Sequence, residues 1–319
     1  MALPRSHPNI LAGPYLQRAA QWRRDEARLR AALEDPDTLF VPVWRTRSLV
    51  AVSAGSVSAY FVPGSKPFGD IASLDVILLG EFHSRVCFAV GLGGEQPPTF
   101  APELEFHDLR LIAGDLTHDE AGLLAYARAM VHWRDQNRYC GRCGARTVPI
   151  QGGHVLQCSD ATCATQEFPR IDPAVIVLVT DGERALLGRQ ASWPPGRYST
   201  IAGFVEPGES LEDAVVREVQ EETGVEVDRV DYHSSQPWPF PSSLMLGFTA
   251  HARHTEIERH DDELEDARWL TRAQIAEGEV ALPTTHSISF RLIEDWYDSG
   301  SATPLRQEPR VRMWQSPRR

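Results

Sequence analysis

The chain of 319 residues has no apolar run close to the roughly 20 residues a membrane-spanning helix needs, its longest being Ala174 to Val179. No membrane partner is expected. The opening MALPRSHPNILAGPYLQRAAQWRRDE lacks a basic lead, a sustained apolar core and a small-residue cleavage site, so no secretory signal is read and a cytoplasmic location is expected. Positive charge is in deficit: 32 Lys and Arg face 44 Asp and Glu, a formal net charge of -12. Nucleic-acid backbones are held mainly by Lys and Arg, so this balance argues against a general nucleic-acid binder. An anionic substrate would need a divalent cation that turns clustered carboxylates from repelling phosphate to recruiting it. Cysteine is scarce too: the five residues are too few and too uneven for a secreted disulfide framework.

The hydrophobic and charged fractions, 42% and 24%, are those of a globular chain, and the length predicts more than one domain. Residues 1–135 alternate short apolar runs (Leu39 to Val43, Ser48 to Val52, Asp75 to Leu79, Val86 to Val90) with Gly and Pro breaks, which predicts an N-terminal α+β domain. Cys87 within it reads as a core thiol. THDEAGLLAYARAMVHWRDQ has apolar residues at helical spacing, with Thr117 and Glu120 placed for a capping box.

Residues 136–168 hold the other cysteines. Cys140 and Cys143 are separated by two residues, Cys158 and Cys163 by four, with fourteen between the pairs. Four thiolates on two short turns can close a tetrahedral shell, so one structural Zn²⁺ per chain is expected, with Gly141 and Gly144 relieving the first turn. A packing or dimerisation role is favoured over nucleic-acid contact, because only Arg142, Arg146 and Arg170 lie near.

A β-branched run, a turn at Asp181-Gly182 and a second apolar run then predict a strand hairpin. It leads into GFVEPGESLEDAVVREVQEETGV. Ser210 can cap a helix with Asp213 three residues on, and Gly224 can end it. Leu211, Ala214, Val215 and Val219 would dock on a sheet, while Glu218, Glu221 and Glu222 share another face. Such crowding is unfavourable on its own. Mg²⁺ or Mn²⁺, which prefer oxygen ligands, would relieve it and bring water to a phosphate, and Arg217 could orient a carboxylate through its fork. The alternative is a solvated Glu-rich helix.

The spacing decides between them. Gly203, Glu209, Arg217, Glu218, Val219, Glu221, Glu222, Gly224 and Val225 fill every fixed position of a pattern that resembles the Nudix box. The resemblance implies an α/β/α sandwich over residues 169–300 and hydrolysis of a nucleoside diphosphate linked to another moiety. It assigns catalysis to Glu218, Glu221 and Glu222, and divalent metal to Glu218, Glu222 and the Ala202 carbonyl, with Glu221 a further ligand or the proton acceptor.

Downstream, SSQPWPFPSSLMLGF packs prolines and aromatic rings into a rigid segment suited to flat ligands, or to a Pro-rich turn with core aromatics. After a four-cysteine segment and the box, SQPWPFPxSLM looks like the marker of the NADH pyrophosphatase family (NudC type). That resemblance covers residues from about 117 to 298 and implies a Nudix-like N-terminal domain as well. It implies a nucleotide pocket lined by Gln236, Pro237, Trp238, Pro239, Phe240, Pro241, Ser242 and Ser243, base stacking by Phe204, and a second aromatic position at Phe168. Phe168 is commonly Tyr in relatives, so a hydroxyl contact is lost there. In DDELEDARWL, Glu263 would be the remaining metal ligand, with Asp261, Asp262 and Glu265 as rivals, and Ser289 aligns with a substrate-contacting position. Residues 301–319, rich in Arg and Pro, read as a disordered basic tail.

The expected activity is cleavage of the NAD(H) pyrophosphate to NMN(H) and AMP. The resemblance adds removal of NAD caps from RNA 5′ ends and a homodimer whose aromatic pocket borrows residues across the interface. Two alternatives stand: a broader ADP-ribose or dinucleotide pyrophosphatase, and a non-catalytic zinc-ribbon RNA-binding or regulatory protein.

Overall fold

The computed structural model describes residues 9–13, 15–53, 55–259 and 263–314. It divides into two compact units, residues 1–171 with 238–242, and residues 172–237 with 243–319.

In the first unit, α1 (Glu26–Glu34) precedes β1 (Leu39–Trp44), β2 (Arg47–Ser53), β3 (Ser56–Ala59), β4 (Val62–Pro63), β5 (Asp75–Phe82), β6 (Arg85–Leu92) and β7 (Leu104–His107). Helices α2 (Leu109–Ile112) and α3 (His118–Gln136) follow. The seven strands form one sheet with central order β3-β2-β1-β6-β5, in which β1 and β6 run parallel. Period-two alternation sends Phe40, Leu78, Phe88 and Val90 to one face and Val41, Ile77, Leu79, Cys87 and Ala89 to the other. The second face packs on Leu123, Leu124, Ala127 and Met130 of α3. Cys87 is buried there, and burial pushes its thiol pKa well up, as suits a core residue. At the head of α3 both capping-box bonds form, Glu120 N–H to Thr117 Oγ1 and Thr117 N–H to the Glu120 carboxylate.

Still in this unit, β8 (Thr147–Ile150), β9 (Val155–Cys158) and β10 (Gln166–Glu167) make a three-stranded sheet whose central strand ends in Cys158. His154, in the turn before β9, is buried and its Nε2 donates to the Leu78 carbonyl at 2.6 Å.

The second unit is built on β11 (Asp172–Thr180), β12 (Arg184–Arg189), β13 (Ile201–Phe204), β14 (Val227–Trp238), β15 (Ser243–Ala252) and β16 (Asp266–Thr271). They form a six-stranded sheet, order β14-β15-β11-β12-β16, with β13 also on β11. The expected hairpin is β11–β12, turning through Gly182 at φ 102°. From β11, Val175, Val177 and Val179 face α4 (Leu211–Thr223), whereas Ile176 and Leu178 face the side of α6 (Ile288–Asp298). One sheet between two helix layers is the α/β/α sandwich. Short α5 (Arg272–Ala276) follows β16.

The expected disordered tail is corrected over 301–314. Leu305 is buried, β18 (Arg312–Met313) pairs parallel with β17 (Ala281–Leu282), and the Trp314 indole donates to the Ala281 carbonyl at 2.8 Å. A few well-placed apolar anchors in a polar segment are enough to dock it. Residues 315–319 lie outside the described residues.

Candidate functional site: an arginine-centred carboxylate cluster and a cysteine cage

The box helix α4 forms where the capping signals place it: Ser210 accepts from Asp213 N–H at 3.1 Å and Gly224 closes the end at φ 70°. Ala214, Val215 and Val219 are fully buried against the sheet. The same docking buries Glu218 and Glu222, one turn apart, while Glu221 stays exposed. The three carboxylates therefore do not gather as equals, as the helix face alone had suggested.

Arg217 holds the arrangement. Its Nε and Nη2 grip both oxygens of Glu209 at 2.8 and 3.0 Å. Its Nη1 donates to Glu218 at 2.9 Å and Glu221 at 3.0 Å. Nη2 also reaches the Phe204 carbonyl, at the end of β13, at 2.9 Å. One planar fork thus ties three box glutamates to the strand that carries Ala202 and Gly203. Glu209 had only a spacing role in the sequence, and a five-donor cation eight residues on was the signal for more. Its carboxyl is held below the usual glutamate pKa, first by the Arg217 hydrogen bonds.

Glu218 behaves oppositely. Burial raises its pKa, Arg217 opposes the rise, and the negative charges of Glu221 and Glu263 reinforce it. Glu263 therefore lies within electrostatic reach of Glu218. Its rival Glu265 is committed elsewhere, in an ion pair with Arg189. Asp261 and Asp262 lie outside the described residues. Gly203 also faces Glu218, and a Cβ there would stand 1.9 Å from its carboxylate, so this position is kept clear for the acid. A buried carboxylate with two acidic neighbours and a backbone cleared beside it offers oxygen donors of the kind a hard divalent cation takes.

The cysteine prediction is met in space. Among the described residues, Cys140, Cys143, Cys158 and Cys163 are the one group of three or more Cys, His, Asp or Glu whose ligand atoms converge, all within 4.8 Å. Cys140–Cys163 and Cys143–Cys158 sulfur separations are 3.8 and 3.3 Å, near the edge of about 3.8 Å for a tetrahedron of 2.3 Å zinc–sulfur bonds. In the first knuckle Gly144 takes φ 76°, whereas a side chain at Gly141 would meet open space, so only Gly144 is required by the backbone. The longer second knuckle closes on Asp160, whose backbone carbonyl accepts from Cys163 and Ala164 N–H and whose carboxylate accepts from Thr162.

The residues expected on substrate separate into three sets. Phe168 and Phe204 are exposed, at 62% and 60%. Trp238 and Phe240 pack on the first unit's core with ring centroids 5.0 Å apart, and Arg128 of α3 donates to the Pro239 carbonyl. Gln236 and Ser289, by contrast, are buried within the second unit and spend their side chains internally. Pro237, Pro241, Ser242 and Ser243 complete the segment, with a cis bond between Phe240 and Pro241.

Comparison with known protein families divides the chain into three segments. Residues 37–133 match the NADH pyrophosphatase-like rudimentary NUDIX domain, residues 135–168 the NADH pyrophosphatase zinc ribbon domain, and residues 170–295 the NUDIX domain. The chain is 50% identical over 164 residues to Nudix hydrolase 19, chloroplastic, of Arabidopsis thaliana, covering 49% of this chain and 37% of that protein. It is 42% identical over 196 residues to NAD-capped RNA hydrolase NUDT12 of Homo sapiens, covering 57% of this chain and 42% of that protein. With NAD-capped RNA hydrolase NudC of Pseudomonas aeruginosa the identity is 43% over 212 residues, covering 65% of this chain and 73% of that protein. The chain thus spans well under two thirds of the first two relatives and more than two thirds of the third.

Proposed function

The chain belongs to the NudC-type NADH pyrophosphatase family of Nudix hydrolases, and on that premise we propose that it cleaves the pyrophosphate of NAD(H) to NMN(H) and AMP. The observation that carries this reading is the Arg217 fork, which sets Glu209, Glu218 and Glu221 beside β13. Glu218 and Glu222, the Ala202 carbonyl and Glu263 are the proposed holders of Mg²⁺ or Mn²⁺. When bound, such a cation neutralises developing phosphate charge and lowers the pKa of water. Glu221 would serve as a further ligand or accept the proton of the attacking water, a role supported by its exposure and its contact with Arg217. Phe204 and Phe168 would stack on flat rings of the substrate, and the stretch Pro237 to Ser243 would contact the nucleotide.

The same cut on an NAD-capped RNA would release NMN and leave a 5′ monophosphate. It is supported by the relatives named for that activity. A homodimer belongs to the proposal too, supported by exposed apolar side chains at Tyr139, Val148, Phe168 and Ile171. So does a cytoplasmic location, since reduced thiolates holding structural Zn²⁺ suit a reducing compartment.

The test is product analysis with NADH, ADP-ribose and diadenosine polyphosphates under Mg²⁺ or Mn²⁺, beside Glu222→Gln. AMP and NMNH from the wild-type protein alone support the reading. Equal turnover of all three substrates favours the broader pyrophosphatase, and no turnover of any overturns catalysis.

A further inference from the structure

Gln236 opens the family's marker segment, yet it is fully buried. Its Nε2 donates to the His286 carbonyl at 2.8 Å and its Oε1 accepts from Ile288 N–H at 2.8 Å. It therefore clamps the start of α6, where Ser287 accepts from Phe290 N–H as N-cap. One residue beyond Ile288, Ser289 is 4% exposed. Its Oγ lies 2.8 Å from Ser199 Oγ and 2.9 Å from Thr200 Oγ1, and it accepts from Thr200 N–H at 3.2 Å.

Thr200 immediately precedes β13, two residues before Ala202. The preceding turn is held from elsewhere as well: Ser199 exchanges backbone bonds with Gly188 at 2.9 Å each way. At the far end of β13, Arg217 takes the Phe204 carbonyl. The four-residue strand is thus gripped at one end by the carboxylate hub and at the other by a buried hydroxyl cluster that depends on α6.

We propose that Ser289 is a positioning residue for the catalytic metal site, acting through Thr200 on the Ala202 carbonyl, with Gln236 fixing α6 so that Ser289 is in register. The inference rests on the Ala202 assignment made above, and it replaces the substrate contact expected of both side chains. A hydroxyl enclosed by Ser199 and Thr200 has no face left for a ligand. Backbone ligands cannot rotate to meet a cation as a side chain can, so the strand's position sets the carbonyl's fit.

The readout is Mn²⁺ affinity without substrate, taken from the electron paramagnetic resonance signal of free Mn²⁺, with steady-state kinetics beside it. Ser289→Ala should weaken Mn²⁺ binding about tenfold, the scale on which outer supports of metal ligands act. It should also raise the Mn²⁺ concentration needed for half-maximal rate, with KM for NADH unchanged. Ser289→Thr, which keeps the hydroxyl, should restore most of the affinity. If Ser289→Ala does not fold, Thr200→Val, which removes another hydroxyl of the same cluster at nearly constant volume, is held to the same criteria. Unchanged Mn²⁺ affinity with a raised KM for NADH would return Ser289 to the substrate and overturn the proposal. Unchanged affinity and unchanged KM would overturn it equally. Weakened Mn²⁺ binding in a protein whose wild type does not turn over NADH would retain the positioning role and reject the substrate reading instead.

Discussion

Gly203 and Glu218 share one space: a methyl on the glycine would lie 1.9 Å from the glutamate's carboxylate. Because Arg217 also holds that carboxylate, it cannot swing away without giving up an ion pair. Gly203→Ala should keep the fold and lower kcat by about a hundredfold or more, the cost of misplacing a catalytic group by an ångström. Circular dichroism beside NADH turnover checks it; an active Gly203→Ala enzyme would show that Glu218 does not need its observed position.

Glu218 sits in the protein at a cost to the fold. Its pKa is raised, chiefly by burial, so the folded chain favours the protonated form. That contribution is present at pH below the unfolded glutamate value and is lost as pH rises through the folded one. In metal-free protein near neutral pH, Glu218→Gln should therefore raise Tm, and the gain should shrink as the buffer is taken into the glutamate range. The variant should have no hydrolase activity. Thermal scans at several pH values with chelator decide the matter; a lower Tm at neutral pH would mean that the Arg217 pair outweighs burial.

His154 gives the opposite dependence. Burial, the largest cause, brings its pKa from the usual 6.5 down to about 4. The fold thus favours neutral imidazole, a stabilisation present above pH 6.5 and lost as pH falls towards 4. The loss is on the order of 2–3 kcal/mol. His154→Gln, able to donate to the Leu78 carbonyl without titrating, should flatten the stability profile across that window in urea unfolding experiments. A profile as steep as wild type would remove His154 as its source.

Zinc should be present at one equivalent per chain. Metal-ligand free energy in small sites is folding free energy, on the order of 10 kcal/mol. Chelation, or Cys158→Ser, should raise hydrogen exchange first in residues 140–163, ahead of α4. Elemental analysis finding no zinc in freshly purified protein would contradict the cysteine cage.

What the sequence made legible was local. Thr117 with Glu120, Ser210 before Gly224, the apolar runs of β5 and β6, and the two cysteine pairs each state their geometry within a few residues. What stayed hidden depends on partners far along the chain. Nothing near Gln236 or Ser289 reveals that their side chains bond to His286 and Thr200. Glu263 and Glu265 look equivalent until Arg189, from β12, takes one of them. The acidic face of α4 was readable by periodicity, but its division into buried Glu218 and Glu222 and exposed Glu221 follows from how the helix docks. The tail over 301–314 misled because composition counts apolar residues without knowing that Leu305 has a socket.

The five residues Trp238 to Ser242 are encoded in the middle of the catalytic half yet cluster with the N-terminal one. A gene cut at position 171 would therefore not yield two self-sufficient proteins. The upstream fragment would lack the rings that its core receives from Trp238 and Phe240, and the downstream fragment would carry them bare into solvent.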